Sequence, residues 1–77
     1  MLGKIKNVEA RDNYCLYVQL ENDSSLILNL EKRIQTIRFG LLEDKGFFKT
    51  ARTDGFYVRW GDQIEISINE IFLLIQR

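Results

Sequence analysis

The 77-residue chain has no histidine, no proline, a single cysteine and no surplus of either charge. Without histidine there can be no Ser-His or Cys-His nucleophile pair and no histidine-ligated metal. One thiol, Cys15, cannot close an intrachain disulfide, which suits a reducing compartment. Eleven Lys+Arg balance eleven Asp+Glu, so the chain as a whole lacks the field of a tight polyphosphate binder. Its longest apolar run, residues 71–75, is five residues long, against the ~20 that a membrane-spanning helix needs. Residues 1–6 hold none of the roughly 7–15-residue apolar stretch of a secretion signal. The sequon Asn22-Asp23-Ser24 then reads as a turn. Together these absences point to a cytoplasmic protein.

What is present is enough for a core. Nine Ile, ten Leu and nine aromatic residues exclude a disordered chain. At this length folding hides about 63% of the unfolded surface. That is enough for one domain over 1–77, without a second domain or a large enclosed pocket.

Leu16, Val18 and Leu20 alternate with Cys15, Tyr17 and Gln19, the period of two of a strand buried on one face. Glu21-Asn22-Asp23-Ser24 is rich in turn formers, and Leu26, Leu28 and Leu30 resume the alternation. Strands are therefore predicted at 14–20 and 25–30, with a more polar edge strand at 3–9. Leu30, Ile34, Ile37 and Leu41 then fall at helical spacing, predicting a short helix near 31–38 and a looser helical turn over 41–44.

Asp54-Gly55 carries a two-residue hairpin signal and Gly61-Asp62 marks the next connection. Strands follow at 48–53, 56–60 and 63–66. Ser67-Ile68-Asn69-Glu70 has capping-box spacing and opens a C-terminal helix with Ile68, Ile71, Phe72 and Ile75 inward. The expected fold is α+β: two three-stranded antiparallel meanders in the order β-β-β-α-β-β-β-α. Leu16, Val18, Leu28, Phe56, Val58, Trp60, Ile64, Ile66 and Phe72 form its predicted core.

No chemistry-bearing pattern emerges. The carboxylate pairs Glu43-Asp44 and Asp62 with Glu65 sit in turns or on strand faces without a pocket signature. Glu21-Asn22-Asp23 lacks the spacing of a calcium loop, and the glycines form no phosphate loop. Cys15 faces away from Leu16 and Val18 and reads as an incidental thiol. The chain is expected to be no enzyme and to need neither cofactor nor metal.

Ile5 and Val8, Leu16-Tyr17-Val18 and residues 26–30, followed by Leu42-Glu43-Asp44, Phe47-Phe48, Val58-Arg59-Trp60, Ile64-Glu65-Ile66 and Ser67-Ile68-Asn69-Glu70-Ile71-Phe72, carry a family likeness. In this order they resemble a bacterial family of small α+β domains of unknown function. Its members are often encoded beside a second small protein and are proposed as antitoxin-like partners. The resemblance spans almost the whole chain and brings no catalytic residue. It implies a protein partner encoded nearby.

Two binding surfaces compete for that role. Five adjacent apolar residues, 71–75, are wider than one core-facing stripe, so Leu73 and Leu74 are expected at a partner or self-association interface. Tyr17 and Tyr57, outward on their strands by parity, would extend it. The alternative is weak nucleic-acid binding by the basic segment 32–59, with Lys32, Arg33, Arg38, Lys49 and Arg52 as contacts and aromatics interleaved.

Overall fold

The side chains of the second predicted strand alternate between two environments in the folded chain. A computed structural model describes residues 4–75. Strand β1 is Ile5–Arg11, β2 Cys15–Leu20 and β3 Ser25–Asn29. The short helix α1 is Lys45–Phe48, followed by β4 Arg52–Thr53, β5 Tyr57–Trp60, β6 Ile64–Ser67 and helix α2 Ile68–Ile75. In β2, Leu16, Val18 and Leu20 are buried, while Cys15, Tyr17 and Gln19 are half-buried on the other face. Two three-stranded antiparallel sheets result, β1-β2-β3 and β4-β5-β6, so the α+β architecture of two meanders holds. Of the predicted first strand, Gly3 lies outside the described residues.

The sheets meet at β1 and β4, where the Ile5 amide donates to the Gly55 carbonyl at 2.8 Å. Between them lies one core containing Leu16, Val18, Leu28, Leu42, Phe48, Val58, Trp60, Ile66 and Ile71. Trp60 is fully buried because its polar atom is satisfied: Nε1 donates to the Phe48 carbonyl at 3.0 Å. Its ring stacks on Phe48 at 6.1 Å, and Tyr14 meets Phe48 edge-on at 5.5 Å. The Tyr14 hydroxyl donates to the Glu43 carbonyl at 2.6 Å and ties the first hairpin to the middle segment.

That middle segment departs from its predicted form. The short helix is a 3₁₀ turn at Arg33–Gln35, and it ends at Thr36, whose backbone is extended. The Thr36 hydroxyl donates back to the Arg33 carbonyl at 2.6 Å, the kind of local bond that competes with helix propagation. Ile37 is consequently fully exposed, while Phe39 and Leu42 turn into the core. A second 3₁₀ turn covers Gly40–Glu43. Asp44 then caps α1, its Oδ1 accepting from the Gly46 and Phe47 amides at 2.9 and 3.2 Å. Helix α1 takes the start of the strand predicted at 48–53, leaving only Arg52 and Thr53 as β4.

Two predicted core residues are also corrected. Phe56 is 53% exposed because it belongs to the β4–β5 turn, where strand parity has no meaning. The Asp54 carboxylate builds that turn by accepting from the Phe56 and Tyr57 amides, both at 3.0 Å, and Gly55 supplies the φ of +103°. Phe72 is half-buried at the side of α2 rather than beneath it. The β5–β6 connection runs over 61–63, one residue longer than Gly61-Asp62 alone, since Trp60 pairs with Ile64.

Candidate functional site

Helix α2 follows β6 without a break, and the Ser67 hydroxyl accepts from the Glu70 amide at 3.1 Å. This is half of the predicted capping box. The Glu70 carboxylate does not return to the Ser67 amide but forms a two-pronged ion pair with Arg38, whose Nη2 lies 2.8 Å from Glu70 Oε1. The same Nη2 donates to the Glu65 carbonyl at 2.9 Å. Arg38 thus ties the middle segment to the start of α2, and the bond to Glu70 raises its pKa above the ordinary guanidinium value.

Next to Glu70 in the helix, Ile71 is fully buried in the core, against which Ile68, Phe72 and Leu74 also pack. In the last turn of α2, Phe72 and Leu74 pack against the core. There Leu73 is 63% exposed, and Ile75, expected inward, is instead partly open to solvent.

Leu74 lines a groove of about 520 Å³ with Asn29, Glu31, Lys32, Arg33 and Thr36. One concavity therefore unites residues singled out for two different roles: Leu74 from the apolar run, Lys32 and Arg33 from the basic segment. The remaining basic residues lie elsewhere. Lys49 lines a second hollow with Arg11, Tyr14 and Lys45, and Arg52 a third with Arg59. Arg59 is held by Asp54 at 3.0 Å and Glu65 at 3.2 Å. Segment 32–59 is thus divided among three concavities instead of forming one stripe.

Tyr17 and Tyr57 lie on different sheets. Tyr17 sits between Glu9 and Ile27 in the cross-strand row of the first sheet, with the Arg11 guanidinium 4.4 Å from its ring centre. Tyr57 opens β5 beneath Arg59, 5.1 Å from its ring centre. The carboxylate pairs are occupied locally: Asp44 caps α1 and Glu65 pairs with Arg59. Cys15 is half-buried on β2, its thiol 3.8 Å from the Asn13 carbonyl. Among the described residues no helix is long and apolar enough to cross a membrane.

Sequence reasoning passed over Ile27, which is 55% exposed at the centre of β3. Its signal was present, since Leu26-Ile27-Leu28 cannot all face inward from one strand. Comparison with family models, curated proteins and solved structures finds no match for this chain.

Proposed function

We propose that this chain is a non-enzymatic protein-binding module, the antitoxin-like half of a pair whose partner is encoded nearby. The observation that carries the binding role is the last turn of α2, where Leu73 is exposed and its neighbour Leu74 lines a groove. An exposed leucine beside a groove lined by Leu74, polar residues and the net-basic trio Glu31, Lys32 and Arg33 suits a partner offering an apolar side chain with an acidic neighbour. The resemblance to paired bacterial domains supplies the antitoxin-like part of the reading. The division of the basic residues, with Arg38 and Arg59 held in ion pairs, favours this over nucleic-acid binding.

The test is co-expression with the product of the neighbouring gene. The pair should co-purify, and Leu73→Gln should weaken binding about tenfold, or about 1.4 kcal/mol, with an unchanged thermal melt. Leu73 is the right position because Leu74 also packs against the core. Equal binding by wild type and variant, or no co-purification at all, rejects the reading.

A further inference from the structure

Two three-stranded sheets have four outer strands, and three of them are occupied or protected. Strands β1 and β4 face each other through the Ile5–Gly55 bond. β1 also carries Lys6, Glu9 and Arg11 and a register shift between Ile5 and Asn7. On β6 the outward Glu65 carbonyl accepts from Arg38. Charges, irregular register and covering groups are the devices by which sheet edges avoid pairing with other chains.

β3 has no charge and no register break, and although α2 packs against it, no backbone group among the described residues pairs with its outer edge. The Leu20 amide bonds the Ser24 carbonyl and the Leu30 amide bonds the Tyr14 carbonyl, each at one end of the β2–β3 ladder. In an antiparallel ladder this sets the even residues, Leu26 and Leu28, to bond β2. Ser25, Ile27 and Asn29 direct their amides and carbonyls the other way, where no backbone group among the described residues meets them. The strand, Ser25-Leu26-Ile27-Leu28-Asn29, holds no charge, and its register with β2 is unbroken.

We propose that β3 pairs antiparallel with β3 of a second copy of this chain, about a twofold axis through Ile27. In that register Ser25 lies opposite the partner's Asn29 and Leu26 opposite the partner's Leu28, with about six backbone hydrogen bonds across the seam. The half-buried Leu26 gains cover, and on the other face the row Tyr17–Ile27 continues into the partner's Ile27 and Tyr17. Charge selects this occupant and this direction. Glu21 and Asp23 precede β3, whereas Lys32 and Arg33 outweigh Glu31 after it. Antiparallel pairing brings Glu21 of one copy toward Arg33 of the other, with Asp23 toward the partner's Glu31 beside Lys32, whereas parallel pairing would set every charge against its like. A five-residue edge is small beside the roughly 1,600 Å² of a standard interface, so the dimer is a weak one. The β3 edge borders the α2 groove, because Asn29, Lys32 and Arg33 line that groove too, but Leu73 lies outside the pairing register and so distinguishes the two readings in the test.

Sedimentation equilibrium of the full chain, from about 1 µM to about 1 mM, spans the range of a weak dimer and tests it. The wild type should move from monomer to dimer mass. Ile27→Lys, which sets two ammonium groups face to face, should stay monomeric with an unchanged circular dichroism spectrum. Leu73→Gln should dimerise like the wild type. In a Cys15→Ser background, Ile27→Cys should form a cross-linked dimer on oxidation, and this decides the matter if the lysine variant fails to fold. A wild type monomeric throughout, a dimer that survives in folded Ile27→Lys, a dimer lost in Leu73→Gln, or absence of the cross-link overturns the proposal.

Discussion

The outer strands β3 and β6 occupy equivalent places in two sheets of equal strand number, yet they end differently. Each turns apolar residues inward: Leu28 buried and Leu26 half-buried in one, Ile64 and Ile66 buried in the other. On β6 the exposed edge is met by Arg38, which arrives from 27 residues upstream of Glu65 and also clamps Glu70. On β3 no backbone group among the described residues pairs with the outer edge, and Ile27 projects from its centre. The difference shows that burying a strand's face and closing its edge are separate problems. The first is solved by alternation within the strand, the second by something brought from elsewhere in the chain or by another molecule.

If the two strands differ only at their edges, truncating an inward side chain should hurt both alike. Leu28→Ala and Ile66→Ala should each cost about 2–5 kcal/mol in urea-induced unfolding, since each leaves a cavity in the shared core. A cost for Leu28→Ala well below this range would extend the asymmetry into the interior.

Arg38→Ala should make the β6 edge bare like that of β3. It removes the ion pair with Glu70 and leaves the Glu65 carbonyl to water. The expected loss is about 1 kcal/mol, because Arg38 is half-exposed and solvent screens the pair. Arg38→Lys should recover less than half of it, as one ammonium cannot reproduce the fork on Glu70. An unchanged urea midpoint in Arg38→Ala would reduce the clamp to a bystander and weaken the contrast between the edges.

The hairpin turns sharpen the comparison by the smallest amount. The β2–β3 turn is held by a neutral group, Asn22 Oδ1 accepting from the Ser24 amide at 2.9 Å. The β4–β5 turn is held by a charged one. Backbone hydrogen bonds from Phe56 and Tyr57, aided by the Arg59 charge, lower the Asp54 pKa below its ordinary value. The folded state therefore favours ionised Asp54. Its contribution is complete above the ordinary Asp pKa of about 3.9 and is lost as pH falls through the lower folded value. Amide exchange at Phe56 and Tyr57 should accelerate in that acidic window before exchange at Ser24 does, and Asp54→Asn should remove the difference.

Much of the fold follows from local pattern. The alternation over 15–20 and 57–60 marks strands and their buried faces, Ser67 opens α2, and the missing histidine, single cysteine and balanced charge remove whole classes of chemistry. These are properties of single elements or of composition, and a strand's sidedness needs no knowledge of its neighbours. The helical spacing of Leu30, Ile34, Ile37 and Leu41 misled because it is equally compatible with a chain that breaks at Thr36 and buries Phe39 and Leu42 instead.

The candidate surfaces depended on tertiary structure to a greater degree. Leu73 was legible as excess apolar surface, but Leu74 meeting Lys32 and Arg33 in one groove joins parts of the chain about forty residues apart. Arg38 reaching Glu70, Phe56 remaining outside and β3 keeping an open edge depend equally on contacts distant in sequence. Periodicity specifies which way a side chain faces from its own backbone. What stands opposite it is decided only when the two sheets close on one core.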